Sequence, residues 1–322
     1  MEQIVNQNIN NDIQAFINSI KKKSKSFYKR YPNSIAKLAR HISPAYRDFV
    51  NKLLSNCKLK IYRYASDGVC NPTAGGNIYS LSKRAKNEIK FGFEDYRIFA
   101  HEIGHSVDFL FGYIRPLSSS VVIYDDKTLF DVFNEEFSLK HKELYEFVMN
   151  EYRNSIDSNI YKGAFDIFIN NMPTYLSLRK EKDHKVRKRI QKKLYECGFV
   201  EVYYQINTKK CFKVLEQNYV AILDALSSKY DTQCLKLVGH SLEYYKFSKE
   251  MPTQEFFANV FADKITGNHN RYDHLIELMP QSFDAFEKLF VVIYDRIQNN
   301  KRFTDLKLCP FVGIPEGEVE EN

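Results

Sequence analysis

Apolar residues recur at helical spacing along most of this chain. Over residues 8–56, Ile13, Phe16, Ile17 and Ile20 repeat at intervals of one to four, and Ile35, Leu38, Ala39 and Ile42 continue the pattern beyond Pro32. At Leu59-Lys60-Ile61-Tyr62-Arg63-Tyr64 the period becomes two, the mark of a half-buried strand. A turn near Asp67-Gly68 and the run from Ala74 to Leu81 predict two or more strands, the last leading toward a helix. Helical spacing returns over Glu135–Asn150, Phe165–Leu176 and the charged stretch after Leu178. It recurs over residues 214–228, from Pro252 through Ala262, and over 282–298. Pro252 suits the first turn of its helix, where a missing N–H leaves no bond unmade. There is no internal repeat, and the acidic end Gly313–Asn322 predicts a frayed terminus.

The chain has 322 residues, enough for one large domain or two modest ones. Its start, MEQIVNQNINNDIQ, lacks the apolar core of a secretory signal, and no run of about 18 apolar residues predicts a membrane span. A cytoplasmic protein is expected, with secretion only by a signal-independent route and no membrane partner. The six cysteines are scattered without a CxxC pair, which argues against a zinc ribbon or a redox motif. The net charge of +7 is concentrated at Lys21–Lys25 and at Arg179, Lys180, Lys182, Lys185, Arg187, Lys188, Arg189, Lys192 and Lys193. Such stripes are ordinarily solvated helix faces. An acidic partner for residues 179–193 is the alternative, and no nucleic-acid module accompanies them.

The densest chemistry lies in His101-Glu102-Ile103-Gly104-His105, an HExxH motif set in apolar surroundings that Gly112 is expected to close. On a helix the two imidazoles lie one turn apart on one face. They can share a metal ion, with Glu102 beside them to handle a proton. Zinc in a catalytic site takes three protein ligands and keeps a fourth position open. A third histidine six residues past His105 is excluded because Phe111 stands there. Two glutamate sources remain, Glu135 or Glu136 and Glu255. Glu255 is flanked by Phe256, Phe257, Val260 and Phe261, where a charge is costly unless paired or coordinated, and that favours it. Asp108, one turn beyond His105, is a candidate acceptor for a ligand imidazole, with a helix-surface role as the alternative.

His101 through Asp108 resembles the HExGHxVD segment of the anthrax lethal factor-like metallopeptidases, and Gln254 through Phe261 resembles their EFFAExF segment. Pro280-Gln281-Ser282-Phe283 follows at the family's spacing. Leu223–Ser228 and Gly239–Tyr245 are similar to C-terminal regions of phage minor head proteins, and Glu-x-x-Ala-Asn-x-Phe-Ala is similar to the ImmA/IrrE-type proteases. The resemblance implies an α+β, mostly helical fold: a zincin-like catalytic domain with a small twisted sheet and an HExxH helix, plus a long helical insertion. Residues 1–57 would form an N-terminal helical segment, 58–112 with 239–300 the metallopeptidase core, 113–238 the insertion and 301–322 a tail. It further implies Zn²⁺ on His101, His105 and Glu255, Glu102 as general base, and an extended peptide or protein substrate pairing with the edge strand Gly76–Leu81. The chain departs from the family at Asn259, where a second acid is usual, and at Ser248, where the catalytic Tyr is usual. The oxyanion role therefore falls to Tyr245, Tyr244 or His240. The function expected is that of a gluzincin-type zinc endopeptidase. The alternative is an inactive structural protein of the phage-head type, which would place the chain in a virion.

Overall fold

A computed structural model describes residues 2–81, 96–301 and 306–307, except 24, 31, 57–58, 63–67, 72–76, 109–115, 236, 238 and 247. Four helices come first, α1 (Glu2–Lys23), α2 (Lys25–Arg30), α3 (Pro32–His41) and α4 (Arg47–Asn56). Three short strands follow, β1 (Leu59–Tyr62), β2 (Gly68–Asn71) and β3 (Asn77–Leu81). The HEIGH motif lies on α5 (Tyr96–Asp108). Next come α6 (Leu117–Ser120), α7 (Leu129–Asn159), α8 (Ala164–Lys180), α9 (His184–Glu196), α10 (Phe199–Lys209), α11 (Lys213–Asn218) and α12 (Val220–Ser227). The chain closes through α13 (Leu242–Tyr245), α14 (Met251–Thr266), α15 (His269–Leu278) and α16 (Pro280–Gln298).

Local chemistry sets these boundaries. Thr128 opens α7 with a capping box: its hydroxyl accepts from the Asp131 N–H while the Asp131 carboxylate accepts from the Thr128 N–H. Pro252 sits in the first turn of α14, and Gly267 ends that helix in the left-handed conformation at φ 67°. The apolar run 214–228, which reads as one helix, breaks at Tyr219 (φ −128°, ψ 24°) into α11 and α12.

α14 is the centre of the molecule. Every residue from Glu255 to Asp263 is buried, so this helix is enclosed on all sides. Phe257 and Phe261 of α14 meet Phe49 of α4 and Phe286 and Phe290 of α16, with ring centroids 5.3 to 6.2 Å apart. Burying each such ring contributes about 1.5–3 kcal/mol. The polar residues Glu255, Asn259 and Asp263 lie four apart on one stripe, and each must find its partner inside the protein. Asp263 does so through Arg271, at 2.7 Å.

The α+β, zincin-like fold class is corrected by this architecture to a helical one. Among the described residues sixteen helices, α1 to α16, stand against three short strands. The three strands have four or five residues each and form a sheet of order β1-β3-β2. The expectation that Gly76–Leu81 offers a free edge is also corrected. β3 is the central strand, parallel to β1 from Ile78 to Leu81 and antiparallel to β2 from Asn77 to Ser80, so its backbone is paired on both sides. The expected helix stop at Gly112, the turn at Asp67 and most of the 301–322 tail lie outside the described residues. Among the described residues no helix is long and apolar enough to cross a membrane.

Candidate metal centre

The site is built where α5 packs along α14. Their closest approach is at Gly104 and Ala258: a Cβ on Gly104 would lie 2.8 Å from the Ala258 Cα and 2.9 Å from its carbonyl oxygen. Two small residues let the backbones touch, and this sets His101 and His105 opposite Glu255 and Asn259.

Three ligand-type atoms converge there. His101 Nε2 is 3.0 Å from His105 Nε2, and Glu255 Oε2 lies 3.2 and 3.3 Å from these two nitrogens. Four ligands around a tetrahedral zinc at bond lengths of about 2.0–2.1 Å sit about 3.3 Å from one another, so the triangle has the size of one tetrahedral face. Glu255 is 1% exposed, and its Oε2 has no hydrogen-bond partner although both nitrogens are close. A buried carboxylate oxygen left in this way is costly unless a cation takes it up. His101, His105 and Glu255 thus form a group able to hold a metal ion. The remaining carboxylate oxygen, Glu255 Oε1, accepts a 2.7 Å hydrogen bond from Tyr244.

A shell of hydrogen bonds fixes these groups. Asn259 Nδ2 donates to Asp224 Oδ2 at 3.1 Å and to the Glu255 carbonyl at 2.9 Å, which leaves Asn259 Oδ1 facing His101 Nδ1 at 3.0 Å. Flipping the amide would set oxygen against two acceptors, so the network itself fixes its orientation. The neutral form of His101 then carries its proton on Nδ1 and presents the Nε2 lone pair to the cluster. Burial opposes charging of His101, but Glu255, with Glu102 and Asp224 beyond it, prevails and raises the imidazole to about 9. Burial outweighs every other influence on Glu102 and raises its carboxyl, although His105 and His101 pull the other way. Its Oε2 is buried without a hydrogen-bond partner. Glu255 is held well below the usual carboxylate range. Burial opposes this, but His105 first and then His101, whose ring nitrogens lie 3.3 and 3.2 Å from its Oε2, overcome it.

Asp224, on α12, is a site residue that motif reading missed. It is 5% exposed and binds His240 Nδ1 (3.2 Å), the His240 N–H (3.4 Å), the Tyr245 hydroxyl and Asn259. Asp224, His240 and Glu255 form a second, overlapping group of metal-ligating type. Its Asp224 oxygens are already engaged by these donors, so the HEIGH group is the better metal site. His240 stands at the rim with a part-exposed ring stacked on Tyr244 at 4.0 Å. Burial works against its charge, yet Asp224 and Glu255 raise it to about 9.

The other expectations resolve as follows. Tyr245, one of the expected oxyanion donors, has a buried hydroxyl that bonds the Asp224 carbonyl and carboxylate, and neighbouring Tyr244 reaches Glu255. Asp108 spends both oxygens on Ser118, at 2.7 Å from its N–H and 2.8 Å from its hydroxyl, so no hydrogen bond runs from it to an imidazole. Burial raises Asp108 to about 7 against these bonds. Glu135 pairs with Lys127 at 2.6 Å on the surface. Glu136, which reads as part of a polar face, is 3% exposed and caps α16 by accepting from the Ser282 N–H and hydroxyl, both at 2.7 Å. The Ser248 hydroxyl accepts from the Glu250 N–H. The basic residues of 179–193 lie exposed around α9, except Arg187, which donates to the Leu178 and Glu181 carbonyls.

No family model, curated protein or solved structure matches this chain.

Proposed function

We propose that the chain is a zinc-dependent peptidase in which His101, His105 and Glu255 hold the metal and Glu102 is the general base. The observation that carries this is the triangle of His101 Nε2, His105 Nε2 and Glu255 Oε2, with edges of 3.0, 3.2 and 3.3 Å, beside a buried and unpartnered Glu102. The similarity of the HEIGH and EFFAN segments to lethal factor-like metallopeptidases supports the same reading, and the reading does not depend on a shared fold.

Bound there, zinc would lower the pKa of a coordinated water from 15.7 to about 7 and polarise a substrate carbonyl. Glu102, whose affinity for a proton is raised by burial, accepts the water proton and returns it to the leaving amine. His240, at the exposed rim and charged near neutral pH, is the donor available to a developing oxyanion, since the Tyr244 hydroxyl is engaged with Glu255. Asn259 and Asp224 keep His101 in the tautomer whose Nε2 is free to ligate.

The test pairs metal analysis with peptide-library cleavage for the wild type and Glu102→Gln. One zinc per chain in both proteins, with cleavage by the wild type only, is the expected result. Equal cleavage by the variant would refute the role of Glu102. Stoichiometric zinc without cleavage in either protein would favour a structural metal site, the reading in which the chain is an inactive interaction protein.

A further inference from the structure

We propose that Asp224 is a positioning residue for the metal centre and acts on His101 through Asn259. This rests on the metal reading above.

Metal-bound histidines commonly donate their second ring N–H to a carboxylate, which orients the ring and raises its basicity. Here the group 3.0 Å from His101 Nδ1 is the neutral amide oxygen of Asn259. An amide alone is the weaker acceptor. The Asn259 amide is itself polarised, because its Nδ2 donates to the carboxylate of Asp224 at 3.1 Å. Chains of hydrogen bonds strengthen one another in a low-dielectric interior, and all three members are largely buried, Asp224 at 5% and Asn259 at 6% exposure. The carboxylate is thus displaced by one residue, from α14 to α12, with the amide as the bridge. A second bond from Asn259 Nδ2 to the Glu255 carbonyl, at 2.9 Å, ties the bridge to the backbone that carries the third ligand. An acid at position 259 would instead face Asp224 at close contact, two like charges in one buried space. Asn at 259 and Asp at 224 are therefore matched.

The experiment compares zinc affinity, by chelator competition, in the wild type, Asp224→Asn and the exchange variant Asp224→Asn/Asn259→Asp. The Co²⁺-substituted proteins report ligand geometry through their visible spectra. Asp224→Asn is expected to weaken zinc binding by about 10- to 100-fold and to alter the cobalt spectrum. The exchange places a carboxylate directly on His101 and an amide behind it; it forfeits the bond to the Glu255 carbonyl, so zinc affinity should recover in part above that of the single variant. Wild-type affinity in Asp224→Asn would overturn the proposal, as would a folded exchange variant no better than the single one. If neither variant folds, ring ¹⁵N spectra of the zinc-loaded wild type decide. Coordination of His101 through Nε2 with the proton on Nδ1 supports the relay, and coordination through Nδ1 overturns it. A wild type that takes up no stoichiometric zinc refutes the metal reading and the relay together. Stoichiometric zinc with an insensitive Asp224→Asn refutes the relay alone.

Discussion

Gly104→Ala tests whether the α5–α14 contact sets the metal geometry. The added methyl would lie 2.8 Å from the Ala258 Cα, about 0.7 Å inside an ordinary carbon–carbon contact of about 3.5 Å. Its nearest neighbours are all Ala258 backbone atoms, so no side chain can turn aside and the helices must separate. The proposed metal ligands straddle that contact, with His101 and His105 on α5 and Glu255 on α14. Opening it by about 0.7 Å stretches the 3.2 and 3.3 Å edges of the triangle toward about 4 Å, well past the roughly 3.3 Å edge that tetrahedral bonds of about 2.0–2.1 Å require. Overpacking of this kind costs about 1–3 kcal/mol, from which the helix preference of Ala over Gly recovers up to about 1 kcal/mol. The expected phenotype is a modestly destabilised, folded protein with zinc affinity reduced by more than about tenfold. Denaturant melts of the metal-free protein and zinc competition measure the two effects separately. A Gly104→Ala protein with wild-type zinc affinity would refute the claim that this contact sets the ligand spacing.

Other substitutions separate the roles assigned above. Glu255→Ala should abolish stoichiometric zinc, whereas Glu136→Ala should keep zinc and lose about 1–2 kcal/mol of stability with the cap on α16, as metal analysis and thermal melts would show. Tyr244→Phe leaves Glu255 Oε1 without its donor and should weaken zinc binding; Tyr245→Phe should chiefly lower stability by about 1–3 kcal/mol, and the reverse ranking would undo this assignment. In the metal-free protein, His101 is raised to about 9 from 6.5, so its ion-pair contribution to stability is full below pH 6.5 and is lost as pH rises through about 9. Zinc must displace that proton. Apparent zinc affinity should therefore rise between pH 7 and 9, and a flat profile in competition titrations would contradict the geometry.

The parts of this structure that were legible in the sequence are those where one residue's neighbours decide its fate. HEIGH announces two ligands and a base by spacing alone, and Glu255 stands out as an acid among phenylalanines. The same argument applies to Asp224, set in Val220-Ala221-Ile222-Leu223-Asp224-Ala225-Leu226. That signal competes with the resemblance that sets 113–238 apart as an insertion. Glu136 carried it too, between Phe133 and Phe137, although its Lys140 and Glu135 neighbours give it a polar cast. The choice between Tyr244 and Tyr245 depends on the rotation of a four-residue helix, and adjacent residues in sequence carry no trace of that. Alternation over 59–64 and 74–81 reveals strands but not their order, and the order makes β3 the centre of the sheet rather than its edge.

Charge explains why these residues belong together. Glu102, Asp224 and Glu255 are each no more than 5% exposed, and three carboxylates packed this closely in a protein interior require cations. In the metal-free protein two imidazoles supply them, since His101 and His240 are each raised to about 9. Burial raises the carboxyl of Glu102 against the pull of His105 and His101. A divalent cation on His101, His105 and Glu255 displaces the His101 proton and adds two charges where one was lost. Such an ion would lie beside Glu102 and favour its carboxylate form. The ion that would polarise a substrate would thus also oppose the effect of burial on Glu102, the proposed base. The same accounting separates the two candidate ligand groups. A cation between Asp224, His240 and Glu255 would have to expel the His240 proton and break the bonds that hold Asn259, dismantling the support of His101.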